Sequence, residues 1–385
     1  MRTLPVVFVL LLTAACSTPG QHSIAVPTAD LLTGAALPLS SLTTTPITRA
    51  DAMALDDAMR AFVAESIGDR NQHSLILDGL VRGMHAYGFF TLEYVVGDTY
   101  TARETFHLKR GNCISFTLLF VALARESGLR VSYQIVEVPP VWQADPELTV
   151  IANHINALIE TPSRDYVVDF NESRFESRHE REKISDDHAL ALFFNNLGAE
   201  AMLRGEQALA FHYFKEAITI DPDVPDAWVN LGLLYARHEL HGHAESAYFH
   251  ALEIDPLQRS ALTNLANLYD ALGEVMVAQE YHERIRRYQQ RNPFYHYALA
   301  QQALEEDRLE DAAASMSRAI RLKRDAHDFH YQLGLAQIEL GQLDSATLSL
   351  TRARDYASSS ELKAKYDAAL ESVRGAHATA SDSSL

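Results

Sequence analysis

A cysteine, a histidine and an aspartate stand in the order that a nucleophile, a general base and an orienting group would need. Cys113 follows Gly111 and Asn112 and precedes a long apolar run. This pattern predicts a sulfur at or near a helix N-terminus, where the helix dipole and free backbone N–H groups favour a thiolate. His154 lies 41 residues further on, and Asp169 follows after another 15. The three residue types together predict acyl transfer by a cysteine nucleophile.

The histidine and the aspartate are predicted to meet on one face of a β-hairpin. Segments 150–160 and 166–170 have strand composition and are separated by turn residues. A turn centred just after Thr161 would place His154 directly opposite Asp169, and a turn centred one residue later would make them diagonal neighbours. Because side chains alternate along a strand, both registers put the two side chains on the same face.

Other elements must position the cysteine and complete an oxyanion site. Two helices are predicted between residues 51 and 87, and a strand is predicted over 131–138. The backbone N–H of Cys113 is one candidate oxyanion donor, and Asn112 or Gln134 is the candidate for the second.

The motif around the cysteine resembles the active-site helix of the transglutaminase-like superfamily. The matching residues are Arg110-Gly111-Asn112-Cys113, Leu118-Leu119, Ala122-Leu123, Arg125 and Gly128-Leu129, with His154 and Val168-Asp169-Phe170 at the other triad positions. The resemblance covers about residues 85–172 and implies a papain-like α+β fold. It also implies Cys113 as nucleophile, His154 as base and Asp169 as the orienting group. The superfamily includes peptidases, amidases, cross-linking enzymes and inactive members, and Ile114 replaces the tryptophan usual in cross-linking members.

Composition excludes some classes of partner. The chain has 385 residues, enough for two or three domains, and 47% of them are hydrophobic, enough for buried cores. The formal net charge of −18 argues against binding to nucleic acid and against electrostatic adhesion to anionic lipid. No cofactor is predicted.

The first 16 residues resemble a bacterial lipoprotein signal segment. Arg2 precedes an apolar core that is too short to span a bilayer, and Leu12-Thr13-Ala14-Ala15-Cys16 resembles a lipobox. The resemblance implies lipidation of Cys16 and a membrane anchor, with ordinary signal cleavage nearby as the alternative. Ser17 favours the outer membrane over the inner one, facing the periplasm. Residues 17–47 are rich in Ser, Thr, Pro and Ala and are predicted to form a flexible tether.

The C-terminal half repeats with a period of 34 residues. The recurring positions are Leu197, Leu231, Leu265, Leu299 and Leu333, and thirteen residues later Ala210, Ala244, Ala278, Ala312 and Ala346. This pattern resembles the tetratricopeptide repeat (TPR), in which paired helices stack into a solenoid. Five repeats are predicted, at 191–224, 225–258, 259–292, 293–326 and 327–360.

The predicted fold class is therefore an α+β papain-like, transglutaminase-like domain followed by an all-α TPR solenoid. The first domain is assigned to 48–180 and the repeats to 191–360. A capping helix at 361–374 and a disordered tail at 375–385 complete the chain.

The TPR resemblance implies a concave groove that binds peptide. By register, the candidate groove residues are Asn195, Met202, Val229, Leu233, Asn267, Tyr297, Gln301 and Tyr331. They are mixed apolar and amide residues without the basic clamp that some members use for carboxylates. The resemblance therefore implies a protein or peptide partner that is not recognised mainly by its charged C-terminal carboxylate.

Two further features have ordinary explanations. His238, His241 and His243 lack the spacing of a zinc helix and fall at the turn between paired helices, so no metal site is predicted. Trp142 precedes His154 and could either wall a substrate cleft or shield a loop.

The sequence predicts an envelope lipoprotein that combines amide chemistry with protein binding. The Cys-His-Asp site would act on amide bonds by hydrolysis or by acyl transfer, and the repeats would bind a partner or deliver a substrate. The alternative is a catalytically inactive repeat scaffold, because a cysteine on an apolar helix is often only a small core residue.

Overall fold

The computed structural model describes residues 25–42, 44–89, 93–94, 97–136, 154–161, 164–170, 181–357 and 359–382. The signal segment, Cys16 and Trp142 lie outside the described residues, as does part of the hairpin turn.

Six helices occupy the described part of the chain before the sheet. They are α1 (Thr28–Thr33), α2 (Arg49–Ala52), α3 (Asp57–Ile67), α4 (His73–Ala86), α5 (Ala102–Leu108) and α6 (Cys113–Glu126). Helix α6 is the centre of this region, since every residue from Ile114 to Ala124 is buried. A helix that is apolar on all sides must be enclosed by other elements, and here α3, α5, the later helix α7 (Asp186–Leu203) and the sheet surround it.

The strands form one small antiparallel sheet and one short parallel pair. The pair is β1 (Glu93–Tyr94) with β2 (Arg110–Gly111), and the sheet contains β3 (Val131–Val136), β4 (His154–Glu160), β5 (Asp165–Val168) and β6 (Arg181–Ile184). The strand order in the sheet is β5-β4-β3-β6. Ile155, Ala157 and Ile159 share one face of β4 and belong to the same buried apolar cluster as α6.

The second half consists of paired helices. They are α7 (Asp186–Leu203), α8 (Gln207–Ile220), α9 (Pro225–Arg237), α10 (His241–Ile254), α11 (Arg259–Ala271), α12 (Val275–Arg291), α13 (Pro293–Glu305), α14 (Leu309–Leu322), α15 (His327–Glu339), α16 (Leu343–Tyr356) and α17 (Ser360–Asp382). The first helix of successive pairs begins at residues 225, 259, 293 and 327, in step with the predicted period. The predicted TPR-like helical repeat fold is confirmed.

Recurring glycines explain how the paired helices approach each other. A Cβ atom added at Gly198 would lie 2.5 Å from the Phe214 ring, and one added at Gly232 would lie 2.5 Å from the Tyr248 ring. Gly334 has the same relation to Leu350, at 2.8 Å. The small residue is needed because the large residue of the second helix fills the space where its side chain would be.

The predicted fold class is wrong, because the sheet is not part of a distinct α+β domain. Helices make up 69% of the described residues. The sheet and its helices share one continuous buried cluster with the first three repeats, running from Leu31 to Tyr281. Strand β6 pairs with β3, and a single residue, Ser185, connects it to α7. The expected boundary between residues 180 and 191 therefore does not exist as a separation of cores.

The N-terminal segment is also different from the prediction. Residues 25–42 and 44–47, here called the N-terminal strap, were predicted to belong to a flexible tether but lie against the repeats. Leu31 is fully buried, and its carbonyl accepts a hydrogen bond from Tyr235 Oη at 2.6 Å. Val26 N donates to Ser246 Oγ at 3.0 Å. An apolar residue within a Ser/Thr-rich segment gains enough from burial to order the chain around it.

The C-terminal helix is longer than predicted. The capping helix assigned to 361–374 lies within α17, which continues to Asp382 through most of the segment predicted to be disordered. Tyr366, Leu370 and Val373 of α17 are buried against α15 and α16, so the helix covers the apolar end of the last repeat. None of the described helices is both long enough and apolar enough to cross a membrane.

Candidate functional site

The N-terminus of α6 places Cys113 at the first helical position. The Asn112 side chain caps the helix, with Oδ1 accepting from Ser115 N at 3.1 Å. Gly111 has φ +151°, and an added Cβ would lie 2.8 Å from Ser115 Cβ. A glycine is therefore required immediately before the cap. Cys113 itself is half-buried and packs against the main apolar cluster.

The structure brings His154 and Asp169 together. His154 Nε2 lies 2.8 Å from Asp169 Oδ1 and 2.7 Å from Asp169 Oδ2. The exposed fractions of the two side chains are only 7% and 9%. Ala157 pairs with Val168 in the β4–β5 ladder. Of the two predicted registers, this is the one in which His154 and Asp169 are diagonal neighbours. The shared face results from strand alternation, as the sequence argument requires.

Thr117 joins the cysteine helix to the histidine strand. Its hydroxyl oxygen lies 2.8 Å from the carbonyl oxygen of Cys113 and 3.1 Å from that of Ile155. The residue after His154 is thereby held one turn from the start of α6. The Cys113 side chain lies close enough to the His154 imidazole to raise its pKa.

The pKa of His154 reflects these contacts. Burial by itself lowers it, but hydrogen bonds to Asp169 and Cys113 outweigh burial and raise the pKa of His154 to about 9. An imidazole with this pKa carries protons on both nitrogens at neutral pH. The Nε2–H then donates to the Asp169 carboxylate.

Asn112 does not have the role that was predicted for it. Its Oδ1 accepts from the Ser115 backbone and hydroxyl, and its Nδ2 donates to Thr99 Oγ1 at 2.7 Å. The side chain is used to cap α6 and to bind Thr99, so we assign it to positioning the helix rather than to the oxyanion site. Gln134 is buried on β3, and its Oε1 has no hydrogen-bond partner within the described part of the chain.

A residue that the sequence argument missed contacts the triad carboxylate. Asn156 Nδ2 donates to Asp169 Oδ2 at 3.1 Å. Extending the β4–β5 ladder by one pair beyond Ala157 and Val168 places Asn156 directly opposite Asp169. The signal was present in the sequence, because Asn156 is two residues after His154 and must share its face.

A second missed feature connects the site to the first repeat. Thr99 Oγ1 donates to Glu200 Oε1 of α7 at 2.6 Å and accepts from Asn112 Nδ2. Burial raises the pKa of Glu200, and the hydrogen bonds from Thr99 counteract it in part. The helix cap next to Cys113 is thus hydrogen-bonded through one hydroxyl to a repeat helix.

The predicted groove residues separate into two groups. Asn195, Met202 and Val229 of the first two repeats are buried, and Asn195 Oδ1 accepts from Asn230 Nδ2 at 2.9 Å. Their expected role in a partner groove is therefore wrong, because the fold itself covers them.

The remaining groove candidates keep some exposure. Asn267 is exposed, and the half-buried residues are Leu233, Tyr297, Gln301 and Tyr331. Tyr297 stacks on Phe329 with ring centroids 4.8 Å apart, and Tyr331 lies against Tyr366 at the same distance.

The histidine cluster lies at the turn between α9 and α10. His238 is the C-cap of α9, His241 begins α10, and His243 packs against the Tyr235 ring. Within the described residues, no group of three or more histidine, cysteine or acidic side chains is arranged to hold a metal ion.

Comparison with known proteins gives only partial likenesses. No family model matches the chain. It is 24% identical over 192 residues to human protein O-mannosyl-transferase TMTC3, which covers 48% of this chain and 21% of that protein. The chain therefore spans about a fifth of the length of this relative.

Solved structures show similar partial coverage. MamA from Desulfovibrio magneticus RS-1 matches with a TM-score of 0.25 and 17% identity, over 45% of this chain and 96% of its own. PilF from Pseudomonas aeruginosa matches with a TM-score of 0.26 and 15% identity, over 49% and 90%. Because these scores are below 0.5, the repeat assignment depends on the helix pairs and the 34-residue register of this chain.

Proposed function

We propose that this protein is a protein-binding helical repeat scaffold that carries a cysteine acyl-transfer site. The supporting observation is the constellation of Cys113 at a helix start, the His154 imidazole whose pKa Cys113 helps to raise, and Asp169 buried against that imidazole. A cysteine beside a proton-carrying imidazole is the arrangement of an activated nucleophile.

The chemistry follows from these groups. The Cys113 sulfur attacks the carbonyl carbon of an amide, and a C–S bond forms while the carbonyl oxygen gains charge. The Cys113 backbone N–H has no partner within its own helix, since it is in the first turn, and is placed to bind that oxygen. His154 gives its proton to the amide nitrogen as the C–N bond breaks, which leaves a thioester.

The second half-reaction releases the enzyme. His154 takes a proton from a water molecule or an amine, which attacks the thioester carbon. The C–S bond then breaks and the sulfur regains its anionic form. Water gives hydrolysis and an amine gives transfer, so the acceptor distinguishes the two reactions.

The test of the nucleophile is the alkylation rate of Cys113, followed by mass spectrometry of its peptide at pH 6. We expect alkylation at least about tenfold faster than that of a free model thiol, and loss of the advantage in His154→Ala. A rate equal to the model thiol in both proteins would contradict the proposal. Cys113→Ala then serves as a trap for amide-containing partners.

The proposed partner surface is the open part of the repeats, from Asn267 onward. Deleting the repeats is not a clean test, because their core is shared with the sheet. Asn267→Arg combined with Gln301→Arg changes this surface without touching that core. We expect the double variant to lose partner binding while the rate for a small amide stays unchanged.

A second candidate function is a scaffold without catalysis. The observation that favours it is the continuous core, since the sheet and α6 cover the first repeat as a structural cap would. Equal partner recovery by the wild type and Cys113→Ala, together with no turnover of any amide, would favour this candidate.

We also propose that lipid on Cys16 anchors the protein in the outer membrane on its periplasmic side. The lipobox-like residues before Cys16 support it. The test is Cys16→Ala, which should release the protein from the membrane fraction and lower the mass of its N-terminal peptide by the acyl groups. An unchanged distribution would contradict the anchor.

A further inference from the structure

We propose that Asn156 is a positioning residue that fixes the carboxylate of Asp169 for its contact with His154. This inference depends on the proposed function of the triad and adds a fourth residue to it. The contact that Asn156 makes is with the Asp169 carboxylate, so we expect its effect to pass through Asp169.

The geometry supports a directed contact. Asn156 Nδ2 lies 3.1 Å from Asp169 Oδ2, the same oxygen that lies 2.7 Å from His154 Nε2. Two donors on one carboxylate restrict its rotation about the Cβ–Cγ bond. The imidazole therefore meets a carboxylate with a fixed plane, which fixes the ring orientation as well.

Burial of the Asn156 amide carries a free-energy cost. Asn156 is 0% exposed, and its Oδ1 has no hydrogen-bond partner among the described residues. A buried amide with an unpaired oxygen is less favourable than an apolar side chain of the same size. A buried position without a polar role would accommodate leucine, so an asparagine at this position indicates a role for its N–H donor.

The neighbouring strand offers a second polar group. Gln134 pairs with Asn156 across the β3–β4 ladder, and both side chains are buried on the same face. Side chains in this relation are within contact range. We assign Gln134 to the support of Asn156, and we expect a smaller effect from its loss.

The test is Asn156→Leu, which removes the donor and keeps the volume. The first readout is the titration of His154 by NMR of ring-labelled histidine. We expect its midpoint to fall from about 9 by about one pH unit or more toward the ordinary value, because the carboxylate is no longer held in place. The second readout is Cys113 alkylation at pH 6, which should fall about tenfold.

Leu158→Ala is the matched control. Leu158 is two residues further along β4, on the same face, and is only half-buried. It should leave the His154 titration and the alkylation rate unchanged. If Asn156→Leu does not fold, Asn156→Ser is the second variant, with the same expected direction. A folded Asn156 variant with the wild-type His154 titration would overturn the proposal.

The two readouts separate this inference from the proposed function. The His154 titration is measured without any substrate, so it tests the positioning role even in a protein that turns over no amide. A shifted titration in a protein that turns over nothing would support the positioning role and reject the enzyme. An unshifted His154 titration in a variant of an active enzyme would reject the positioning role and leave the proposed enzyme activity supported.

Discussion

The first two repeats and the last two have the same helical design but different surroundings. In α7–α10, the residues at groove positions, such as Asn195 and Val229, are buried, and the N-terminal strap and the sheet region pack on the same helices. In α13–α17, the buried residues form three smaller clusters separate from the main one. The same 34-residue repeat therefore contributes buried core at the N-terminal end of the array and exposed surface at the C-terminal end.

This difference shows how a repeat acquires a role. Each helix pair leaves apolar surface that a neighbour must cover. At the first repeat the sheet and α6 provide that cover, and at the last repeat α17 does. The repeats between these ends have exposed positions because only other repeats contact them.

The largest expected effect breaks the shared core. Phe214→Ala should lower the free energy of unfolding by about 3–5 kcal/mol, since Phe214 is fully buried in the main cluster. Hydrogen exchange should rise in both α6 and α8. The matched variant Leu350→Ala is fully buried in a separate cluster, so its faster exchange should be confined to α15–α17. If the faster hydrogen exchange spreads over equally many helices in both variants, the proposed difference between the two regions is wrong.

Removal of the strap contact should cost somewhat less. Leu31→Ala leaves a cavity against α8–α10 and should lower the free energy of unfolding by about 2–4 kcal/mol, measured by urea titration. Protease cleavage within residues 25–42 should become faster. Leu42→Ala is the control, because Leu42 is in the same segment and exposed. A strap that stays protected in Leu31→Ala would reject its proposed attachment.

Two histidines give the regions opposite responses to pH. The pKa of His154 is raised, so the stability from its pair with Asp169 is full below pH 6.5 and is lost as the pH rises toward 9. Asp169→Asn should therefore lower stability by about 2–3 kcal/mol at pH 6 and by little at pH 9.

In the last repeats the sign is reversed. Burial lowers the pKa of His330, and its hydrogen bond to the Arg324 carbonyl only partly compensates. Its contribution is full above pH 6.5 and is lost as the pH falls below that value. Exchange in α15 should become faster under acidic conditions in the wild type but not in His330→Gln. The same pH profile in both proteins would exclude His330 as the cause.

The smallest expected effect is at the exposed first turn of α12. Met276 is 79% exposed, and Met276→Lys should change the free energy of unfolding by less than about 0.5 kcal/mol. Thermal unfolding checks this value. A larger loss would mean that this surface is covered in solution.

The sequence predicted what depends on local periodicity. Leucine and alanine spacing predicted the helix pairs, and strand alternation predicted the common face of His154 and Asp169. The register of the hairpin was left between two choices because both satisfy the alternation. Asn156 was missed although its two-residue spacing from His154 puts it on the same face, because alternation does not say which neighbour contacts the carboxylate.

The remaining errors arise from long-range packing. A Ser- and Thr-rich composition predicts an unstructured tether, yet Leu31 and Leu37 are buried, and Leu31 is hydrogen-bonded to a residue 204 positions further along the chain. The predicted domain boundary after residue 180 is wrong for the same reason. A continuous core depends on which surfaces meet, and neither composition nor spacing specifies that.

If Cys16 carries the proposed lipid, the N-terminal strap also limits how far the repeats can stand from the membrane. Nine residue steps separate Cys16 from Ala25, and a fully extended chain of that length reaches about 32 Å. With the proposed lipid on Cys16, any pull from the bilayer would reach α9 and α10 before it reached the sheet. The second repeat would carry this mechanical load, and the cysteine would stay shielded from it.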